Sequence, residues 1–256
     1  MKKRIRYAVF GLFAYLVCLM FTLPADFSYA LLKKKVRLPF PVEFYGVEGS
    51  WRVGRAAQIL VNGRRFTDFE WQLNILPFFS GQMGGAVVFH QERGVFTGNI
   101  LTGQDTITIT QAQAQLPAEM LQTYLPDIGI RLKGEVKAVF DVMQISKGAL
   151  VAANGALVFR GAEILSPESL ALGDIKAQFI TENNGVKVVM SDGGGPLLVE
   201  GQIMLKPDRF YSFTGAFAVR DRKQTFLADT LRLFGKPGSD GRVVMSYNGR
   251  LPMLSP

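Results

Sequence analysis

One cysteine and one histidine stand in 256 residues. That scarcity removes several kinds of chemistry at the outset. Cys18 has no partner for a disulfide within the chain, and a cysteine zinc site is excluded. A Ser–His–Asp arrangement would need His90 as its base, and no Gly-x-Ser-x-Gly elbow accompanies it. His90 sits at the end of a strand pattern and reads as a surface or turn histidine rather than a metal ligand. No phosphate loop or dinucleotide fingerprint occurs. Gly193-Gly194-Gly195 is too short and precedes a strand pattern, so it is a turn. Asp105, Asp127, Glu135 and Asp141 do not recur at the spacing of paired glycosidase carboxylates. The expectation is a chain with no catalytic residue, no metal and no cofactor, and not an enzyme. A cleft gathering two or more carboxylates around His90 would reopen that question.

The formal charge of +8 also excludes less than it first suggests. Residues 1–37 hold Lys2, Lys3, Arg4, Arg6, Lys33, Lys34, Lys35 and Arg37 against Asp26, a net of +7. The remaining residues are close to neutral and carry no basic face for nucleic acid, so no nucleic-acid partner is expected.

The basic residues flank an apolar run. Tyr7 to Leu23 contains no charge and no proline. Counted from Ile5 it would span about 28 Å as a helix, close to the hydrocarbon thickness of a bilayer. Pro24 ends it, and Tyr7, Phe27 and Tyr29 suit the two interfaces. The same segment can be read as a signal peptide cut after Ser28-Tyr29-Ala30. The length of the run and Lys33-Lys34-Lys35 just past the cut favour a retained anchor. The expected organisation is a cytoplasmic N-terminus at 1–6, a transmembrane helix at 7–23, a linker at 24–41, and a body on the far side of the membrane. Pro39 and Pro41 make the end of the linker extended.

The body opens on Val47-Glu48-Gly49-Ser50-Trp51-Arg52-Val53-Gly54-Arg55-Ala56-Ala57. Trp51, Val53, Ala57, Ile59 and Val61 share a parity, and Gly54 marks a bend or bulge. Asn62-Gly63 is a hairpin pair. Phe66 to Leu73 alternates apolar and polar as a half-buried strand. Further strands are predicted at 82–90, 95–101, 106–114, 134–142, 150–159, 175–181, 186–190, 197–205, 210–219 and 241–249, with Asn183-Asn184-Gly185 and Pro207-Asp208 among the turns. In 106–115 the apolar parity switches, which predicts a bulge near Thr110. Two helices are predicted, 117–125 behind Pro117 and 223–234 ahead of Gly235.

A weak two-fold repeat runs through this pattern. Arg55 to Leu60 aligns with Arg160 to Leu165, Ala118-Glu119-Met120-Leu121 with Ala228-Asp229-Thr230-Leu231, and Gly134 with Gly241. The expected fold is mainly β: a curved, mostly antiparallel sheet body of two similar units, 42–145 and 146–256, with two short helices. The twenty Phe residues either fill the inner face of that sheet or line an apolar groove.

The motif around Gly49, Trp51, Gly54 and Ala57, the Trp71 of the following strand, and Leu76-Pro77 with Gly81 carry a resemblance. So does the ending Asp240-Gly241-Arg242 with Gly249-Arg250-Leu251. On these residues the chain resembles the type II secretion system protein N family over nearly its whole length. One departure stands out: Arg52-Val53 separates Trp51 from Gly54 where a single residue is usual, which predicts a bulge at Val53. The resemblance implies a single-pass inner-membrane protein with a periplasmic β body, serving the machine that exports folded proteins. It implies a structural role for Gly49, Trp51, Gly54, Ala57, Trp71, Gly241 and Gly249. Other secretion subunits, membrane lipid around the anchor, and a second copy of the chain are the candidate partners. The alternative expectation is a membrane-anchored carrier of lipid or another apolar ligand in a β groove.

Overall fold

The computed structural model describes residues 11, 23–25, 42–61, 64–91, 94–103, 105–122, 131–165, 169–220 and 225–251. Among these, no helix is long and apolar enough to cross a membrane. The predicted span at 7–23 lies outside the described residues except for Gly11 and Leu23. The described body is mainly β, with its described strand pairs antiparallel, and it divides into two compact units between Glu92 and Arg93.

The first unit is a meander of β1 (Val42–Gly49), β2 (Val53–Val61), β3 (Arg64–Asn74) and β4 (Met83–Gln91). Val61 pairs directly with Arg64, so only Asn62-Gly63, outside the described residues, connects β2 to β3. A 3-10 turn at Leu76–Ser80 follows β3. The β1–β2 register is continuous through Glu48↔Arg55 and Gly49↔Gly54, and the β2–β3 register is continuous through Val53↔Gln72. The bulge expected at Val53 is therefore not there; Val53 opens β2 directly after a tight turn. The unit's irregularity lies at Asp68, where β3 advances three residues against two on β4. Asp68 takes φ +47°, a left-handed conformation that aspartate tolerates better than most residues.

The second unit runs β5 (Gly94–Thr102), β6 (Thr106–Pro117), α1 (Ala118–Gln122), β7 (Leu132–Ser146), β8 (Ala149–Ile164), β9 (Leu170–Glu182), β10 (Gly185–Asp192), β11 (Leu197–Leu205), β12 (Phe210–Val219), α2 (Thr225–Phe234) and β13 (Val243–Arg250). Each strand pairs with its neighbour in sequence. The bulge predicted near Thr110 is present. Thr97↔Gln113 is followed by Asn99↔Thr110, and the extra residue, Gln111, takes φ +52° while its side-chain carbonyl accepts from Asn99 Nδ2 at 3.0 Å. Pro117 ends β6 rather than opening the helix, so α1 begins one residue later than expected.

One face of this sheet is apolar from end to end, as alternation requires when one side meets water. Ala112, Phe140, Ala153, Val186 and Val188 form its buried centre, flanked by Phe96, Ile109, Met143, Phe179 and Ile203. Gly155 lies between Phe140 and Phe179 on the intervening strand. A Cβ there would come within 2.5 Å of the Phe140 ring, so its absence lets the two rings meet edge to face at 5.0 Å. α2 closes one end: Leu227 is buried against Leu170, Leu197 and Val199, with Leu231 beside it at the next turn. Burying a leucine this way contributes roughly 1.5–3 kcal/mol.

Candidate functional site: the Gly–Trp turn and the charged cleft behind it

The residues singled out by sequence converge in the first unit. Gly49 to Gly54 forms the β1–β2 turn, and almost every polar backbone group in it is used. Ser50 N donates to Val53 O at 2.8 Å, and Val53 N donates to Ser50 Oγ at 3.1 Å. Arg52 O accepts from Leu73 N at 2.6 Å, which ties the turn to the end of β3. Trp51 O accepts from Trp71 Nε1 at 3.0 Å, and Trp51 N donates to Leu23 O at 3.2 Å. The second bond comes from the last residue of the apolar N-terminal run. Pro24 and Ser50 form an isolated antiparallel bridge beside it, and Ala25 is buried.

Two glycines make this arrangement possible. Gly49 takes φ +89°, and a Cβ there would lie 2.6 Å from Val53 O. At Gly54 a Cβ would lie 2.4 Å from Trp71 Cζ2 and 2.7 Å from Glu48 O, so the indole rests directly on the Gly54 backbone. The Trp71 ring then stacks on Phe69 at 5.7 Å and meets Phe44 edge-on at 6.2 Å. Ala57, grouped with these residues by parity, is exposed; its neighbour Ala56 is the fully buried one. Gly241 and Gly249 belong to the second unit. Gly241 closes a turn through its N–H to Gly238 O at 3.0 Å, and Gly249 pairs with Tyr211, whose ring leaves no room for a side chain.

The opposite face of the same strands carries charge. Glu48, Arg55 and Glu70 sit side by side across β1, β2 and β3. Arg55 Nη2 and Nε both donate to Glu48 Oε2, at 2.6 and 2.8 Å. That hydrogen bond and the charge of Glu48, with smaller help from Glu70 and Asp68, hold the exposed guanidinium above its ordinary pKa. These residues with Gly46, Ala57, Asp68 and His90 line an open cleft of about 450 Å³. Carboxylates do gather around His90, the condition under which an enzyme reading reopens. His90 Nδ1 faces a backbone oxygen, that of Asp68, at 3.4 Å, and among the described residues no serine or cysteine lines the cleft. Among the described residues, no group of three His, Cys, Asp or Glu side chains is placed to hold a metal. Sequence reading missed this cleft because its shape depends on Gly46 at φ +62° and the Asp68 bulge, each with few apolar residues before it in its strand to mark the change of parity.

The geometry is thus a sheet end built from glycines and stacked aromatics. A family model described as Type II secretion system (T2SS), protein N matches residues 41–246. The chain belongs to the type II secretion system protein N family. Proteins named type II secretion system protein N from Vibrio cholerae serotype O1 (23% identical over 258 residues) and from Aeromonas hydrophila (24% over 263) are similar to it. Each comparison covers 98% of this chain and the whole of the relative. No solved structure matches. The family match begins one residue before β1 and ends within β13, so it takes in strands of both units and the site residues named above except Leu23, Pro24, Ala25 and Gly249.

Proposed function

We propose that this chain is a non-enzymatic scaffold subunit of the type II secretion machinery. In this reading residues 7–23 anchor it in the inner membrane, and its β body lies in the periplasm and contacts other subunits there. The observation that carries the reading is the packed face of the second unit. Its centre is filled by its own side chains and its end is closed by Leu227 of α2, as a structural element requires and a catalyst does not. The contact surface we assign is α2 with β13. Leu233, Phe234 and Val244 are exposed there, and β13 pairs only with β12 among the described residues, which leaves an edge for strand addition.

A photo-reactive amino acid placed at Leu233 or Val244 in living cells tests this. The expected adducts contain identified subunits of the same machine. Adducts with lipid alone would overturn the scaffold reading and favour the second one, a carrier of an apolar ligand. That second reading draws support from the half-buried residues beside the packed centre. Phe96, Ile109, Met143, Phe179, Met190 and Ile203 form a stripe on one face that its neighbours only partly cover.

A further inference from the structure

We propose that the end of the first unit carrying the β1–β2 turn and the Leu76–Ser80 turn rests on the bilayer surface, with Leu76 seated in the lipid interface beside the emerging anchor. The inference rests on residues 7–23 being a membrane-spanning helix.

Three observations lead there. The first is depth. Leu23, where the apolar run stops, accepts the Trp51 N–H at 3.2 Å, and Pro24 bridges Ser50. A helix rises only about 1.5 Å per residue, so the turn lies within a few ångströms of the hydrocarbon boundary. The second is topology. In an antiparallel meander the start of β2 and the end of β3 share one end, and Arg52 O to Leu73 N at 2.6 Å fixes them together. The 3-10 turn follows at once. Its Leu76 is 84% exposed, and the run Leu76-Pro77-Phe78-Phe79 has no charge. An exposed leucine gains roughly 25 cal/mol for each Å² of its surface removed from water.

The third observation is the contrast between the ends. At the near end the sequence reads Ser50-Trp51-Arg52 and Ile75-Leu76-Pro77-Phe78-Phe79-Ser80-Gly81-Gln82. Tryptophan favours the headgroup level. At the far end it reads Asn62-Gly63-Arg64-Arg65 and Gln91-Glu92, which belongs in water. A lipid surface is the one occupant that fits an anchor terminus, a tryptophan beside it and the exposed Leu76 of an uncharged turn together.

The test uses the full chain reconstituted in phosphatidylethanolamine–phosphatidylglycerol vesicles. Nitroxide labels are placed at Leu76→Cys, Ser80→Cys and Arg65→Cys on a Cys18→Ser background, and at native Cys18 in the unaltered chain. Collision rates with oxygen and with a water-soluble nickel chelate report depth. The expected result is a nickel collision rate at 76 and 80 reduced several-fold relative to 65, with oxygen favoured at 76. Circular dichroism matching the unaltered chain confirms that each labelled variant is folded, and position 80 decides if the variant at 76 is not. Nickel access at 76 and 80 equal to that at 65, with Cys18 shielded, overturns the inference and leaves the anchor standing. Nickel access at Cys18 overturns both.

Discussion

Gly54 shows how a single missing side chain sets local structure. The residue has no chemistry of its own, yet it holds the contact between Trp71 and the turn. Adding one methyl group at Gly54→Ala places it 2.4 Å from Trp71 Cζ2 and 2.7 Å from Glu48 O. Over-packing of this kind costs about 1–3 kcal/mol. The indole must also lift, which breaks its bond to Trp51 O. Gly54→Ala is therefore expected to lower the denaturation midpoint and to red-shift tryptophan emission as Trp71 is exposed. The double variant Gly54→Ala/Trp71→Phe separates the two clashes. It should recover part of the loss, because the smaller ring withdraws from the new methyl, but not all of it, because the backbone oxygen of Glu48 remains. Equal, additive losses in a double-mutant cycle would show that the two residues do not share this contact.

At the scale of elements, alternation made the strands legible and chirality hid their irregularities. Leu197–Leu205 and Phe210–Val219 were readable to the residue, since a face packed on one side and wet on the other must alternate. The bulge at Gln111 was readable because apolar residues run for several positions on both sides of the shift; the one at Asp68 was not, because before it only Phe66 marks the other parity. The motif predicts a bulge at Val53 where the chain instead turns, because spacing alone cannot separate a three-residue connection, Ser50-Trp51-Arg52, from an insertion in a strand. Long-range clasps were equally invisible. Asp192, at the end of β10, accepts from Arg220 Nη1 at 2.6 Å, from Gly194 N at 2.7 Å and from Val199 N at 3.0 Å, and so joins β10, β11 and the end of β12. The Arg220 hydrogen bond, aided by the two backbone N–H groups, lowers its pKa from 3.8 to about 2 against a smaller opposing effect of burial. A carboxylate depressed in the folded state stabilises the fold above its ordinary pKa, and that contribution is lost as pH falls through 4 towards 2. With Arg220 partly in water, about 1–2 kcal/mol is at stake. Asp192→Asn should be less stable than the unaltered chain by that amount at pH 7, and denaturant titrations of the two should converge near pH 2. A gap that stays constant with pH would assign the loss to shape rather than charge.

For the whole molecule, the distribution of buried residues matters more than their number. Among the described residues, the buried apolar side chains of the first unit are Ala25, Ala56 and Ile59, whereas the second unit holds two clusters of its own. One of the first unit's three, Ala25, comes from just past the apolar run, so that segment is part of the unit's small core. Four strands with so little buried surface lie near the lower limit for independent stability in water. The two units should therefore differ in what they need. A fragment of residues 94–251 is expected to unfold cooperatively on its own, because both clusters and α2 are contained in it. A fragment of residues 42–92 is expected to lack a cooperative transition in water, since it has lost Ala25 and the Leu23–Trp51 bond. Residues 1–92 reconstituted in vesicles should regain that transition. Thermal melts followed by circular dichroism compare the three. A cooperative melt for 42–92 in buffer would mean that the sheet and its aromatic stack suffice without residues 1–41, and that the contact at Trp51 follows from the fold of this unit rather than contributing to it.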